Sequence, residues 1–258
     1  MNAVHRVLDP SAGPQVPAGL CALSVMTKAP VAGRVKTRLS PPLTPEEAAA
    51  LNICFLRDTS AAISTATADG NARGIGVYTP VGAENAYADI LPPHFELIPQ
   101  RGDLFGERLT LAAEDLLRVG FSAVCLIDSD SPTVPEHAYA DAVRLLAEPG
   151  DRMVIGPSHD GGYYLIGLKA AHRRVFEQID WSTERVFDQT IAGAHEIGLA
   201  VEQLPTWYDV DDRATLRRLC DELLSGGAST GYNAPATTAF LEDLIARQGR
   251  DRIWPAAQ

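Results

Sequence analysis

The stretch VCLIDSDSP, residues 124–132, ends an apolar run in two aspartates, Asp128 and Asp130, just before Pro132. Two carboxylates at the mouth of a strand can offer their oxygens to one Mg²⁺ or Mn²⁺ ion, because both are hard cations that prefer carboxylate and phosphate oxygens. The cation would neutralise the charge that makes burial of the aspartates costly. A structural alternative stays open, in which Asp128 caps a helix or forms a turn and Asp130 begins the turn at Pro132.

A second acidic cluster, YDVDDR at residues 208–213, follows the last apolar run and opens a helical pattern. An aspartate at the N-cap or in the first turn of a helix is favoured by the free N–H groups and the helix dipole. Capping can account for one of Asp209, Asp211 and Asp212 but hardly for all three. A single divalent cation held by Asp130 and by Asp209 or Asp211 would account for both acidic clusters.

Four cationic side chains lie in the segment KAPVAGRVKTR, residues 28–38, which contains no acid. They are Lys28, Arg34, Lys36 and Arg38. Pro30 and Gly33 predict a loop here, and its guanidinium and ammonium groups suit a di- or triphosphate through charge-assisted hydrogen bonds. The G-x-x-x-x-G-K-[ST] pattern of a Walker loop is absent. The alternative is a solvated basic loop that leads into a helix.

Apolar runs alternate with helical patterns along the chain, which predicts a mostly parallel sheet with helices on both faces. The predicted strands span residues 20–26, 74–80, 95–100, 122–128, 152–157, 163–169 and 201–207. The predicted helices span residues 44–67, 106–119, 133–147, 183–194, 214–224 and 237–247. Thr44 and Thr133 each begin a T-x-x-E pattern that predicts a capping box. Ligands of such sheets bind beyond the carboxyl ends of the strands, where the acidic and basic segments lie.

The composition is that of a globular protein, with 258 residues, of which 46% are hydrophobic and 21% charged. A net charge of −11 argues against a nucleic-acid polymer or an anionic membrane as the main partner. Four cysteines without a C-x-x-C pair predict buried, reduced thiols, and no apolar run approaches the ~20 residues of a membrane span. Because the first residues also lack a signal-peptide pattern, these features predict a cytoplasmic protein.

Shifts in composition predict the domain organisation. Residues 1–19, rich in Pro, Gly and Ala, are expected to form a flexible N-terminal extension. A single folded domain is expected over residues 20–224. Residues 225–258 are expected to form a flexible linker, which contains SGGASTGYNAPA, and a C-terminal helix.

Six stretches resemble a bacterial family of glycosyltransferase-like proteins in the nucleotide-diphospho-sugar transferase superfamily. They are MTKAPVAGRVKTRL, RGDLFGERL, LIDSDSPTVP, GPSHDGGYYLIGL, IDWSTERVFDQT and LPTWYDVDD, all within about residues 22–215. The resemblance implies an α/β protein with a GT-A-like Rossmannoid fold, a three-layer α/β/α sandwich with a mostly parallel mixed sheet. It also implies a transferase that binds a nucleotide together with Mg²⁺ or Mn²⁺.

The resemblance assigns roles by position in these stretches. By this resemblance, three cations of the basic loop bind the nucleotide phosphates: Arg34, Lys36 and Arg38. Lys28 of the same loop is added as a phosphate-binding candidate because of its charge. Asp130 and Asp211 are the expected metal ligands, and Asp128 is a further candidate ligand.

The superfamily also contains nucleotidyltransferases, among them guanylyltransferases whose K-S-R-L stretch is similar to VKTRL. In some members a Gln at the start of a glycine-containing segment contacts the base, which makes Gln100 the candidate here. The glycine-rich G-x-G-x-R loop of the nucleotidyltransferases is missing, and of its glycines only Gly33 remains.

The turn HDGGYY and the stretch DWST offer candidate contacts to a sugar and its acceptor. Gly161 and Gly162 would let the backbone approach the ligand, and Asp160 would bind a hydroxyl or act as general base. Trp181 would stack on the acceptor. The structural alternatives are a D-G hairpin turn and a helix N-cap at Ser182.

Together with the resemblance, these residues predict a metal-dependent glycosyltransferase that moves a sugar from a nucleotide diphosphate to a small-molecule acceptor. The alternative enzyme is a nucleotidyltransferase, which joins an NTP to a phosphorylated acceptor and releases pyrophosphate. A third possibility, from a different class, is an inactive nucleotide-binding protein.

Overall fold

The computed structural model describes residues 5–225 and 231–254, in which seven strands form one sheet. The strands are β1 Cys21–Lys28, β2 Ala72–Thr79, β3 Glu96–Pro99, β4 Ala123–Ile127, β5 Arg152–Pro157, β6 Tyr163–Leu168 and β7 Ala200–Gln203. Their order across the sheet is β3-β2-β1-β4-β6-β5-β7. Within this described sheet, β6 alone runs antiparallel to its neighbours, β4 and β5. The prediction of a mostly parallel mixed sheet is therefore confirmed.

Helices cover both faces of the sheet. They are α1 Pro45–Ala66, α2 Phe105–Arg118, α3 Glu136–Ala147, α4 Val186–Glu196, α5 Arg213–Leu224, α6 Pro235–Gln248 and the short α7 Arg250–Ile253. Leu23 and Leu165 pack with α1 and α3 on one face, whereas Ala22 and Ile166 pack with α2 and α4 on the other. Successive strand residues point to opposite faces, and both faces are buried here. The predicted three-layer α/β/α sandwich is confirmed.

Capping explains where α1 begins. Thr44 and Glu47 form the predicted capping box, in which the Glu47 N–H donates to Thr44 Oγ1 (3.2 Å) and the Thr44 N–H donates to Glu47 Oε2 (2.8 Å). The capping box predicted at Thr133 is wrong, because α3 begins at Glu136 without a side-chain cap. The Thr133 hydroxyl instead accepts a hydrogen bond from Trp207 Nε1 (3.0 Å), so a distant partner replaces the local one.

The chain is packed from His5 onwards. His5 is buried, and its Nδ1 lies 2.9 Å from the Phe95 carbonyl oxygen. Leu8, which is also buried, donates its N–H to the Leu97 carbonyl oxygen (2.8 Å) beside the outer edge of β3. The expectation of a flexible extension is therefore wrong for this stretch, because it pairs with an edge strand whose backbone groups would otherwise lack partners. Residues 1–4 lie outside the described residues.

The C-terminal helices pack on the rest of the fold. Asp58, a buried residue of α1, accepts hydrogen bonds from the N–H groups of Ala236 (2.9 Å) and Thr237 (2.8 Å) at the start of α6. Leu244 of α6 is buried in one apolar cluster with side chains of α1 and α5. The predicted domain boundaries stay predictions, and residues 226–230 of the expected linker lie outside the described residues.

The four cysteines are buried free thiols, as the sequence predicts. Burial raises the pKa of Cys54 to about 11 and that of Cys220 to about 12, so both thiols stay protonated at neutral pH. None of the described helices is both long enough and apolar enough to cross a membrane.

The Asp58 cap predicts a measurable contribution to stability. Asp58→Ala removes the acceptor of two N–H groups, and we expect it to lower the free energy of unfolding by about 1–3 kcal/mol in urea titrations. Asp243→Ala is the matched control, because Asp243 is exposed and forms a surface ion pair with Arg247 that contributes less than about 1 kcal/mol. Equal losses in the two variants would contradict the capping role.

Candidate functional site

The two predicted acidic turns meet at the carboxyl edge of the sheet. The Val210 N–H donates to the Asp130 carbonyl oxygen (2.9 Å), which fixes the turn after β7 against the turn after β4. The Ser158 hydroxyl, directly after β5, donates to Asp209 Oδ1 (3.0 Å). Parallel strands deliver their carboxyl ends to one edge of a sheet, so the topology brings together segments that are far apart in sequence.

Lys36 of the basic loop lies between these acidic turns. Its Nζ is 2.7 Å from Asp130 Oδ1, 3.0 Å from Asp211 Oδ1 and 2.8 Å from the Val210 carbonyl oxygen. Its side chain is only 3% exposed. Burial lowers the pKa of Lys36, but the two carboxylates raise this pKa by more, so it lies above its ordinary value and the amine is charged. The positive charge of the loop is thus joined to both acidic turns.

Two adjoining cavities open at this edge. The larger, of about 570 Å³, is lined by five aspartates: Asp128, Asp130, Asp160, Asp209 and Asp211. The smaller, of about 270 Å³, is lined by the four cations of the basic loop: Lys28, Arg34, Lys36 and Arg38. Four residues line both cavities: Arg38, Ser129, Asp130 and Asp211. A ligand with an anionic part and a polar part can therefore span them.

Negative charge is concentrated in the larger cavity. Burial raises the pKa of Asp209, and the carboxylates of Asp160 and Asp211 raise it further. Burial, followed by the Asp130 carboxylate, raises the pKa of Asp128 well above its ordinary range. Asp128 and Asp209 are thus crowded by neighbouring carboxylates, and a cation among them would relieve the repulsion.

Two of the aspartates make the structural contacts that the sequence left open. Asp128 Oδ2 accepts a hydrogen bond from the Ser131 hydroxyl (2.7 Å), and its Oδ1 accepts from the Asp130 N–H (3.3 Å), so Asp128 shapes the turn. Asp212 is the N-cap of α5, where its carboxylate accepts from the Thr215 N–H (2.8 Å). Asp130 and Asp211 are the aspartates whose carboxylates contact Lys36.

The carboxylate oxygens where the two cavities meet suit a divalent cation whose remaining coordination positions are filled by a bound ligand. Among the described residues, no three His, Cys, Asp or Glu side chains are arranged to enclose a metal ion by themselves. Mg²⁺ is commonly held by one or two carboxylates together with water and substrate phosphates. The contacts of Lys36 show that Asp130 and Asp211 can share one positive charge. The pair therefore fits Mg²⁺ or Mn²⁺ beside a phosphate group.

The turn between β5 and β6 borders the larger cavity. Asp160 is exposed and lines the cavity with Gly162, whose N–H donates to Asp160 Oδ1 (2.8 Å). Gly161 has φ 87°, and a Cβ there would lie 2.2 Å from the Glu184 carbonyl oxygen. Gly161 therefore serves the close approach of two backbone segments, and it does not line the cavity.

Two aromatic residues, Phe105 and Trp181, form an aromatic wall of the larger cavity. Their rings pack edge to face with centroids 4.9 Å apart. Phe105 is 54% exposed, and its neighbour Leu104 is 74% exposed. The structure thus places the predicted Trp181 at the site and adds Phe105, which the sequence prediction missed. Two large apolar residues at the exposed start of a helix are the signal that could have found it.

Gln100 is a predicted site residue that lies outside both cavities, whereas Asn52 lines the smaller cavity although it was not predicted. Gln100, the candidate for base binding, donates from Nε2 to the carbonyl oxygens of Val77 (2.7 Å) and Thr27 (3.0 Å), and it lines neither cavity. These contacts tie β1 to β2 and do not support base binding. Asn52 of α1, which no motif singles out, borders the smaller cavity. It is buried, and its Oδ1 has no hydrogen-bond partner among the described residues, which is unusual for a buried polar atom.

Comparison with known proteins places the chain in a family. A sequence profile described as an uncharacterised protein conserved in bacteria (DUF2064) matches residues 62–183. A crystal structure from Desulfovibrio desulfuricans, provisionally assigned as a nucleotide-diphospho-sugar transferase, is 30% identical in sequence with a TM-score of 0.73. The match covers 90% of this chain and 99% of that chain. The chain belongs to this bacterial family of nucleotide-diphospho-sugar transferase-like proteins.

The fold of this transferase-like family is shared more widely. The protein Rv0371c of Mycobacterium tuberculosis is 16% identical, with a TM-score of 0.50, and the match covers 80% of this chain and 100% of that chain. At this identity the likeness concerns the fold alone. No curated protein matches the sequence.

The close approach at Gly161 predicts that this transferase-like protein tolerates no side chain there. Gly161→Ala places a Cβ against the Glu184 backbone at positive φ, and we expect a loss of at least about 2 kcal/mol in free energy of unfolding in urea. Gly198→Ala is the control, because it has φ 67° with open space around the Cβ and carries only backbone strain of about 1–2 kcal/mol. A Gly161→Ala loss no larger than this would count against the contact.

Proposed function

We propose that the protein is a metal-dependent transferase that uses a nucleotide-diphosphate sugar as donor and a small molecule as acceptor. The junction of the two cavities at Lys36, Asp130 and Asp211 is the observation that supports this best. There, a loop suited to phosphates adjoins oxygens suited to a divalent cation. Membership of the transferase-like family, through a relative 30% identical in sequence, adds support.

In this proposal the smaller cavity holds the diphosphate. Lys28, Arg34 and Arg38 are exposed at its wall and would donate charge-assisted hydrogen bonds to the phosphate oxygens. These bonds would stabilise the negative charge that develops on the departing diphosphate. A divalent cation held by Asp130 and Asp211 would supply further charge stabilisation to the same leaving group.

The larger cavity would hold the sugar and the acceptor. Asp160 is the proposed general base, because its exposed carboxylate at the cavity wall can take the proton of an attacking hydroxyl. The aromatic wall offers an apolar surface on which the acceptor can stack. The same cavity would therefore offer the acceptor both polar and apolar contacts.

A nucleotidyltransferase is the second candidate. The observation in its favour is that four cations line the smaller cavity, which would suit the pyrophosphate released from an NTP. The missing glycine-rich loop of such enzymes favours the sugar donor instead.

A thermal-shift panel of NDP-sugars, NDPs and NTPs, each with and without Mn²⁺, tests the proposal. We expect one NDP-sugar to stabilise the protein only with Mn²⁺, by about 2.7 kcal/mol at ~100 times its Kd. Asp130→Asn and Asp211→Asn should remove the metal-dependent stabilisation because they weaken the cation site. Asp243→Asn, at an exposed position of α6, should retain the metal-dependent stabilisation.

Other outcomes of the panel decide between the candidates. Stabilisation by an NTP, followed by pyrophosphate release, would favour the nucleotidyltransferase. Binding of an NDP-sugar without turnover of any acceptor would indicate an inactive nucleotide-binding protein. If no nucleotide stabilises the protein, both enzyme proposals are contradicted.

The aromatic wall predicts an effect on the acceptor that is separable from donor binding. Trp181→Ala removes the stacking surface, and we expect the KM for the acceptor to rise about tenfold, equivalent to about 1.4 kcal/mol, with little change in donor affinity. Acceptor-dependent rates and donor titrations measure the two effects. Leu104→Ala is the control, because Leu104 is exposed beside the wall and does not line the cavity. A donor affinity that falls as much as the acceptor affinity would argue against this assignment.

A further inference from the structure

We propose that Lys36 and the divalent cation are alternative partners of the Asp130–Asp211 pair, so that the metal binds where Lys36 leaves. The free protein holds the two carboxylates with its own ammonium group. An incoming polyphosphate draws Lys36 into the smaller cavity, and the cation takes the carboxylate oxygens that Lys36 releases. This inference rests on the metal site of the proposed function.

The hydrogen-bond capacity of Lys36 is already fully used. An ammonium group has three N–H donors and no acceptor. The three oxygens around Lys36 Nζ, at 2.7–3.0 Å, are Asp130 Oδ1, Asp211 Oδ1 and the Val210 carbonyl oxygen. No donor is left for a phosphate oxygen. Lys36 must therefore give up at least one of these contacts before it can bind a phosphate, which is the role expected of the basic loop.

A metal ion held by this pair would use the same two carboxylates. Asp130 Oδ1 and Asp211 Oδ1 are the atoms that Lys36 contacts, and Asp211 Oδ2 faces Arg38 at 3.6 Å. An ammonium and a dication on the same carboxylates would repel each other, and solvent screens this repulsion weakly on the side of Lys36, whose side chain is 3% exposed beside the half-buried Asp130 and Asp211. The two cations therefore exclude one another from the pair.

The smaller cavity offers Lys36 a second position. Asn52 borders this cavity, and its buried Oδ1 lacks a hydrogen-bond partner among the described residues. An unpaired acceptor beside a cavity rich in donors suits an ammonium group. The flexible stem of a lysine lets Nζ move between two positions while the loop stays in place. Asn52 Oδ1 and a phosphate oxygen would replace the contacts that Lys36 loses.

Metal and polyphosphate then bind cooperatively. The polyphosphate gives Lys36 new acceptors and so removes the competitor of the metal. By thermodynamic linkage, each of the two ligands raises the affinity for the other by the same factor. A protein without nucleotide should consequently hold a divalent cation weakly.

Titration with Mn²⁺ alone, in the absence of nucleotide, tests the competition. The electron paramagnetic resonance signal of free Mn²⁺ reports binding. We expect Lys36→Gln, whose amide can still donate to the Val210 carbonyl oxygen, to bind Mn²⁺ about tenfold more tightly than the wild type. Lys28→Gln is the matched control, because it removes the same charge from an exposed position at the same cavity. Its Mn²⁺ affinity should stay close to that of the wild type, since solvent screens the lost charge.

Three results of this titration would overturn the proposal. They are equal Mn²⁺ affinities of the wild type and Lys36→Gln, equal gains in both lysine variants, and no Mn²⁺ binding by either the wild type or Lys36→Gln.

Chemical labelling of the wild-type protein gives a readout that needs no variant to fold. Lysine amines are acetylated with an N-hydroxysuccinimide ester and quantified by peptide mass spectrometry. Lys36 should be protected in the free protein, and saturating Mg²⁺ should raise its labelling several-fold. Lys28, which is exposed, serves as the internal control and should be labelled equally with and without Mg²⁺. A Lys36 that stays protected at saturating Mg²⁺ would overturn the proposal.

Failure of this inference and failure of the proposed function are distinguishable, because neither experiment contains nucleotide. If no nucleotide binds but Lys36→Gln still gains Mn²⁺ affinity, the transferase proposal fails and the competition stands. If an NDP-sugar is turned over while Mg²⁺ leaves Lys36 protected, the transferase proposal stands and the competition fails.

Discussion

The ion pairs of Lys36 are the contacts on which the functional site depends. Through Asp130, Asp211 and the Val210 carbonyl, this one ammonium joins the basic loop after β1 to the acidic turns after β4 and β7. The same edge already carries Asp160 and Asp209, and their mutual repulsion contributes to the raised pKa of Asp209. The fold can gather so many carboxylates because it supplies a positive charge of its own at the point where they meet.

Strand order explains why these segments converge. β1 and β4 are parallel neighbours near the centre of the sheet, so the basic loop and the first acidic turn leave the sheet side by side. β5 lies beyond β6 and runs in the same direction as β4, so the turn after β5 opens on the same edge. β6 starts from that edge and runs back, which puts Asp160 at the cavity wall. β7 pairs in parallel with β5 and delivers the second acidic turn there.

Short patterns in the sequence predict local structure, because their interactions are made within a few residues. The capping box at Thr44 and the D-G turn between β5 and β6 are of this kind, and the structure contains both. The predictions for Thr133 and Gln100 fail because their side chains form hydrogen bonds with residues that are distant in the sequence. For Lys36 too, the sequence does not reveal the tertiary partners. Its charge predicts an anionic partner, but only the fold reveals that two of the anions belong to the protein itself.

The two halves of the site rest on different layers of the fold. The basic loop leads into Leu39, which is buried with α1, α5 and α6, whereas Trp181 packs on the cluster of α2 and α4 across the sheet. Changes in the aromatic wall can therefore alter the acceptor surface while the packing beneath Lys36 stays intact, and their effects should add to those of changes in the loop. Asp130 and Asp211 border both cavities, so a change in their charge reaches both halves at once. That junction is where phosphate, metal and acceptor requirements constrain one another.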